Sequence, residues 1–159
     1  MEFLQKFRLQ THLPERAPRL LAYGIATGGV LVSDAAPDGV PVSDAARPVG
    51  YLLAVGVTFD RCPTDGIDGS APVVAPDAPP APPGGAHLAE LVVAPDFRRE
   101  GRATALLTVL LDVADGPVTV AVHPENDAAL ALYRSLGFES VGRRENYFEA
   151  APARWLVRR

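Results

Sequence analysis

The fold of this chain is decided by residues 87–138, which read HLAELVVAPDFRREGRATALLTVLLDVADGPVTVAVHPENDAALALYRSLGF. The apolar run over 87–93, broken by Glu90 and closed by a Pro-Asp turn, predicts a strand. From Arg102 onward apolar residues recur at helical spacing, until an Asp-Gly-Pro sequence at 115–117 stops the helix. These apolar positions are Ala103, Leu106, Leu107, Leu110, Leu111 and Ala114.

A second strand and a second helix follow directly. Residues Val118 to Val122 alternate valine with other residues, which predicts a buried strand. Asn126 can cap the next helix, and Gly137 stands where a helix ends in left-handed backbone. The order strand, helix, strand, helix predicts an α/β domain with a parallel strand pair at its centre. The predicted inner face of the second helix consists of Ala129, Leu132, Tyr133 and Leu136.

The sequence on either side of this stretch adds further elements. Residues 28–33 and 49–57 are apolar runs separated by a loop rich in Asp, Pro and Gly, which predicts an antiparallel hairpin with a long connection. Residues 14–23 predict a short helix between a proline and a glycine. Two final strands are predicted at Tyr147-Phe148 and at residues 155–157.

Composition predicts one soluble, cytoplasmic domain over residues 1–159. The length suits a single domain, and 48% apolar with 21% charged residues is a globular balance. A net charge of −4 argues against nucleic-acid binding, and no apolar run approaches the ~20 residues of a membrane span. The opening MEFLQKFRLQ is too polar for a signal peptide. Cys62 is the only cysteine, so we expect no intramolecular disulfide and no zinc site of the usual cysteine-rich kind. No metal cofactor is predicted.

Residues 59–86, FDRCPTDGIDGSAPVVAPDAPPAPPGGA, form the one low-complexity stretch. Proline and glycine are frequent there and large apolar residues are few, which predicts a mobile insertion within the domain. A second interpretation is a Pro-rich ligand for a groove-binding partner, although Asp and Gly interrupt the pattern.

The residues between the first strand and the first helix of the central stretch form a candidate anion site. Residues 98–104 read RREGRAT. A glycine-containing loop that leads into a helix aims backbone N–H groups outward, and the helix dipole favours an anion there. Gly101 and Ala103 are small enough for a pyrophosphate to approach the backbone, and three arginines flank the loop. Alone, this signal is weak, because any short glycine-bearing loop before a helix matches it.

Two motifs read together resemble the GNAT superfamily of N-acetyltransferases. Val93-Ala94-Pro95 followed by Arg98-x-x-Gly101-x-Ala103 matches the family's phosphate loop, and Asn126-x-x-Ala129-x-x-Leu132-Tyr133-x-x-x-Gly137-Phe138 matches its second motif. Arg144-x-Asn146-Tyr147-Phe148 is similar to the branch of ribosomal-protein alanine N-acetyltransferases. The resemblance covers residues 87–148. It implies an α/β fold with a mixed sheet, an antiparallel N-terminal hairpin and a splayed central parallel strand pair flanked by helices.

The resemblance also implies acetyl-CoA as the acetyl donor. Tyr133 would be the general acid that protonates the departing CoA thiolate, and the reaction rate would then fall at alkaline pH as this phenol ionises. The other interpretation of Tyr133 is a core residue of its helix. By the same resemblance, the residues that would bind acetyl-CoA are Leu91, Val92, Val93, Arg98, Arg99, Glu100, Gly101, Arg102, Ala103, Thr104 and Asn126.

The general base is left open by the sequence. In the branch named above, a Glu on the strand before the second helix is the base, and that position is Ala121 here. Glu90 on the neighbouring strand is the preferred replacement, since other branches place a carboxylate there. His123, two residues beyond Ala121 and therefore on the same strand face, is the second candidate, and water is the third.

The acceptor is predicted to be a primary amine, first of all a protein or peptide N-terminus. Tyr147 lies on the segment that walls the peptide slot in the N-terminal acetylating branch. No Cys or Ser is placed for a covalent intermediate, so the predicted mechanism is direct attack in a ternary complex. Two alternatives are a small-molecule amine as acceptor and a non-catalytic acyl-CoA-binding module. The sequence makes no prediction of oligomeric state.

Overall fold

A mixed β-sheet organises the residues that the computed structural model describes, which are 30–34, 48–57, 81–148 and 151–159. Six strands lie in the order β1-β2-β3-β4-β6-β5. In chain order the elements are β1 (Val30–Asp34), β2 (Pro48–Val55), β3 (Ala86–Val93), a 3₁₀ turn (Pro95–Phe97), α1 (Arg102–Val113), β4 (Val118–Val122), α2 (Asp127–Ser135), β5 (Glu139–Phe148) and β6 (Ala151–Arg158).

Antiparallel pairing joins the strands on either side of the sheet centre. β1 pairs with β2, and β2 pairs with β3, so the predicted N-terminal hairpin is confirmed. Two final strands are present as predicted, since β5 and β6 form an antiparallel hairpin whose inner strand pairs with β4. Tyr147-Phe148 is only the end of β5, which begins at Glu139, because its exposed residues 139–146 give no apolar signal. The short helix predicted over residues 14–23 lies outside the described residues.

The central parallel pair is open at one end. β3 and β4 are in register only from Ala86 opposite Val118 to Leu88 opposite Val120. Beyond these three pairs both strands continue, β3 to Val93 and β4 to Val122, but they no longer pair with one another. The splayed central pair that the resemblance implied is therefore confirmed. A V-shaped opening lies between the carboxyl ends of the two strands, where ligands of open α/β sheets bind.

The helices pack on one face of this sheet. Their apolar stripes bury Leu106, Leu107 and Leu110 of α1 with Leu130 and Tyr133 of α2. Asn126 caps α2 as predicted, its Oδ1 accepting the N–H of Ala129 at 3.0 Å. The predicted inner face of α2 omitted Leu130, which is buried. The predicted residues Ala129, Leu132 and Leu136 pack against the core but are only half-buried. In the described residues no helix has the length and apolarity needed to cross a membrane.

The predicted insertion ends earlier than the sequence suggests. Ala86 is the first residue of β3 and is fully buried, and its N–H donates to the carbonyl of Pro117 at 3.0 Å. Gly56, just after β2, has a φ of 95°, and a Cβ there would lie 2.6 Å from both the Ala81 Cβ and the Gly85 carbonyl oxygen. The chain therefore leaves and re-enters the sheet at one place. Residues 58–80 lie outside the described part.

Candidate active site

At the mouth of the opening, a β-bulge changes the sheet face to which the side chains of β3 point. Leu53 of β2 pairs with Glu90 and Ala54 pairs with Leu88, so Ala89 is the extra residue of the bulge. Leu88 consequently packs in the helix-covered core, whereas Glu90 shares the opposite face with the residues paired to it. A bulge also leaves backbone groups outside the ladder. The bulge thus brings unpaired backbone and a carboxylate to the same point of the cleft.

The start of α1 is an anion site by its geometry. Gly101 precedes the helix with a φ of 78°, and a Cβ added there would meet no atom within 4 Å. The first helical bond runs from the Ala105 N–H to the Gly101 carbonyl, so the N–H groups of residues 102–104 have no acceptor in their own helix. No side chain caps this end, and its first turn holds no acidic residue. These donors face the cleft.

The arginines around this loop differ in their surroundings. Arg98 donates Nε–H to the carbonyl of Val93 at 2.9 Å and so ties the loop to the end of β3. Arg102 pairs with Glu100 at 2.9 Å and lies over the Phe97 ring, 5.5 Å from its centre. Arg99 is exposed and has a φ of 68°, a left-handed conformation that non-glycine residues seldom adopt. Of the predicted loop residues, Glu100 alone does not line the cleft.

Tyr133 lies on the helix-covered side of the opening. Its ring packs edge-on against Phe138, and the side chain is 5% exposed yet lines the cleft. In the described part of the chain its hydroxyl has no hydrogen-bond partner, although buried hydroxyls normally have one. Burial raises the pKa of this phenol well above its ordinary value of 10.0. Tyr133 therefore keeps its proton throughout the physiological range and directs an unsatisfied donor toward the cleft.

Glu90 lies on the other side of the opening and is also buried, at 6% exposed. Its Oε2 accepts a hydrogen bond of 2.5 Å from the hydroxyl of Tyr51 on β2. Both Glu90 and Tyr133 line the same cleft from opposite faces of the sheet. A carboxylate and a phenol therefore flank the gap between the two strands. Tyr51 had no sequence signal, since it is one aromatic residue within an apolar strand.

The other two candidate positions for a base, Ala121 and His123, lie on and just after β4. Ala121 is half-buried and pairs with Trp155, so its methyl group leaves this part of the cleft wall apolar. His123 also lines the cleft, and its Nδ1 accepts the backbone N–H of Glu125 at 3.2 Å. In that arrangement the neutral ring carries its proton on Nε2. The backbone thus occupies Nδ1, which leaves Nε2 as the ring nitrogen of His123 that a ligand could contact.

Aromatic rings line the sheet face that carries Glu90. His87 stacks on Trp155 with ring centres 5.1 Å apart, and the Arg144 guanidinium lies 3.9 Å from the centre of the Trp155 ring. Tyr147 packs edge-on against both Trp155 and Phe148. Phe148 lines the cleft, and Tyr147, which the sequence predicted in the substrate slot, packs edge-on against it. The role of Tyr147 in the substrate slot stays a prediction.

The buried His87 makes stability depend on pH. Its Nδ1 lies 2.9 Å from the Thr119 hydroxyl, and burial, then the Arg144 charge, lower its pKa from 6.5 to about 4. Between these values the unfolded chain binds a proton that the folded chain excludes, so stability is complete above pH 6.5 and falls toward pH 4. We expect the free energy of unfolding, measured with urea, to fall by up to about 3 kcal/mol over this pH range.

The matched variants for this prediction are His87→Gln and His123→Gln. Replacing His87 should flatten the fall in unfolding free energy across this pH range. Replacing the half-buried His123 should leave the fall in place. A wild-type profile that is flat from pH 7 to pH 4 would contradict the assignment.

The cleft as a whole has a volume of about 1580 Å³, above the roughly 300–1,000 Å³ of most small-ligand pockets. In the described part of the chain no Ser or Cys lines it, and no group of His, Cys, Asp and Glu is arranged to hold a metal. The predicted site residues that line it are Glu90, Leu91, Val92, Val93, Arg98, Arg99, Gly101, Arg102, Ala103, Thr104, Asn126 and Tyr133.

Similar proteins share both sequence and fold with this chain. N-alpha-acetyltransferase RimI of Mycobacterium tuberculosis is 47% identical over 62 residues, 38% of this chain and 39% of that protein. The [ribosomal protein bS18]-alanine N-acetyltransferase of Salmonella typhimurium is 43% identical over 70 residues, 42% of this chain and 47% of that protein. The chain thus spans less than half the length of these curated relatives. Their names confirm the resemblance read from the motifs.

A solved structure extends the likeness to the fold. The NatC complex bound to Gag peptide and CoA contains a chain that matches with a TM-score of 0.65 at 18% identity, over 98% of this chain and 88% of that one. The model of the family described as "Acetyltransferase (GNAT) family" matches residues 11–138, a range that begins well upstream of the two motifs and includes both of them. Since that match covers most of the sequence, this chain belongs to the acetyltransferase (GNAT) family.

Proposed function

We propose that this protein transfers the acetyl group of acetyl-CoA to a primary amine, and that the amine is the N-terminus of a protein or peptide. The observation that carries the proposal is the opening between β3 and β4, flanked by the Tyr133 hydroxyl on one face and the Glu90 carboxylate on the other. Direct transfer needs two reactants that meet in one cleft. The names of the relatives support the choice of an N-terminal amine.

The donor side of the cleft suits CoA. The uncapped N–H groups at the start of α1 would bind the pyrophosphate, helped by the Arg98, Arg99 and Arg102 charges. The edge of β3 beyond the bulge would bond the pantetheine amides, because its backbone from Leu91 to Val93 has no partner in β4. The Oδ1 atom of Asn126 is occupied by the helix cap. The amide protons on its Nδ2 are left to form hydrogen bonds with acetyl-CoA.

The reaction needs a neutral amine and a proton for sulfur. One proton passes from the acceptor's ammonium group to Glu90, and the amine then attacks the thioester carbonyl carbon. As the C–N bond forms and the C–S bond breaks, Tyr133 gives its proton to the thiolate and regains one from the adduct nitrogen. N–H donors at the β3 bulge would stabilise the oxyanion.

The experiment that tests this function is an acceptor screen. Purified protein is incubated with acetyl-CoA and peptides of varied N-terminus, alongside polyamines and amino sugars, and products are read by mass spectrometry. We expect acetylation on the peptide α-amine and thiol release in equal amount. Thermal stabilisation by CoA without turnover on any acceptor would favour the non-catalytic module, and acetylated small amines alone would favour the other alternative.

Four further expectations belong to the same proposal. Acetyl-CoA serves as a co-substrate, and no metal takes part. The chain acts as one domain over residues 1–159, and it acts in the cytoplasm, as its composition predicts.

A further inference from the structure

We propose that Tyr51 is a positioning residue, which holds the Glu90 carboxylate for proton transfer from the acceptor's ammonium group. This inference rests on the proposed function, because it concerns how the proposed base is held. Tyr51 does not line the cleft, so it would act only through Glu90.

The register of the sheet brings these two side chains together. Tyr51 pairs with Val92 and Leu53 pairs with Glu90, so Tyr51 and Glu90 are diagonal neighbours on one face. The hydroxyl of Tyr51 donates to Glu90 Oε2 at 2.5 Å, a length typical of a hydroxyl bound to a carboxylate. Tyr51 is 0% exposed, so the donor cannot turn toward solvent.

The effect of the bond is to fix one orientation of the carboxylate. A Glu side chain has three rotatable bonds and loses much of its freedom when one oxygen is held. The Ala89 bulge fixes the backbone beneath it, and the Tyr51 hydroxyl fixes the end of the side chain. On the same face the other described charged and titratable groups are His87, Arg144 and Tyr147, which all contact Trp155, and His123 beside Phe148. A fixed proton acceptor makes the transfer step more frequent once the amine is bound.

The step itself balances in protons and electrons. An N–H bond of the ammonium group breaks, its electron pair stays on nitrogen, and an O–H bond forms on Glu90. Glu90 returns the proton to water after the product leaves. Tyr51 keeps its own proton throughout, because it only donates a hydrogen bond.

The test compares Tyr51→Phe, Glu90→Gln and the double variant, using the best acceptor peptide of the screen. At about pH 7 we expect Tyr51→Phe to lower kcat about 10-fold to 100-fold with the KM for acetyl-CoA unchanged, and Glu90→Gln to lower it about 10²–10⁴-fold. The double variant should be no slower than Glu90→Gln. All losses should shrink at about pH 9.5, where an α-amine of pKa about 8 is already neutral.

Two further variants keep the test decisive. Glu90→Asp withdraws the carboxylate both from the Tyr51 hydroxyl and from the acceptor amine, so it should lose at least as much kcat as Tyr51→Phe, and it tests the placement of the carboxylate even if Tyr51→Phe folds poorly. Leu110→Val, in the buried stripe of α1, is the control for lost stability and should leave the pH dependence of kcat unchanged. Losses that add in the double variant, or that are equal at both pH values, would make Tyr51 a packing residue.

The outcomes also separate this inference from the function on which it rests. If the wild-type protein acetylates no peptide, the proposed function fails. If the wild type is active, Glu90→Gln is slowed as expected and Tyr51→Phe equals the wild type at about pH 7, only the role of Tyr51 is overturned.

Discussion

Replacing Tyr133 by Phe is expected to lower kcat by about 10²–10⁴-fold while the affinity for acetyl-CoA stays nearly unchanged. The variant keeps the ring that packs against Phe138 and removes only a hydroxyl that has no partner in the described residues. Thermal unfolding should therefore show a melting temperature close to that of the wild type. Steady-state kinetics with an acceptor peptide, together with calorimetric titration of CoA, measure the two quantities.

The pH profile sharpens this first prediction. The sequence alone predicts an alkaline fall in rate as the phenol ionises, but burial raises the pKa of Tyr133 well beyond the working range. The rate of the wild type should rise as the acceptor amine loses its proton and then stay level to about pH 10. Tyr133→Phe should follow the same curve at a lower level. Turnover near that of the wild type would make Tyr133 a packing residue, and water would then have to protonate the thiolate.

Replacing Gly101 by Glu is expected to weaken CoA binding by at least about 100-fold. The new side chain would enter the open space beside the uncapped N–H groups of α1, and its charge would oppose the pyrophosphate there. Gly101 also has a φ of 78°, where an L-residue costs about 1–2 kcal/mol. Calorimetric titration with CoA measures the loss of affinity.

The matched control for this second prediction is Gly101→Asn. Asn tolerates left-handed backbone better than most residues and adds bulk without charge, so it should lose far less affinity than Glu. An equal loss in both variants would point to backbone strain as the cause. Unchanged affinity in both would show that the pyrophosphate binds elsewhere.

Local signals in the sequence were enough to predict most of the fold. Asn126 and Gly137 mark the two ends of α2, because a side-chain cap and a left-handed exit depend on neighbours only. Period changes around residues 87–122 located both central strands and α1 for the same reason. The position of Leu130 was missed, since which residues of a short helix turn inward depends on how the helix lies on the sheet.

The geometry of the candidate site was harder to predict from the sequence than the fold was. The bulge at Ala89 arises from the register between β2 and β3, and an alanine in an apolar run gives no hint of it. The bond from Tyr51 to Glu90 joins residues 39 positions apart, and only strand pairing brings them together. The position of Phe148 in the cleft wall likewise depends on how the hairpin of β5 and β6 packs.

The close approach at Gly56 has a consequence for chain length. The described chain stops at Val57 and resumes at Ala81, and Gly56 lies against Ala81 and Gly85. Closing such a segment costs conformational entropy that grows with the logarithm of its length, by only about 0.6 kcal/mol for each doubling. The free energy of closing a flexible connection between two such neighbouring points therefore depends little on its length. The residue type at position 56 is constrained instead, because a Cβ there would collide with Ala81 and Gly85 and push the two chain segments apart.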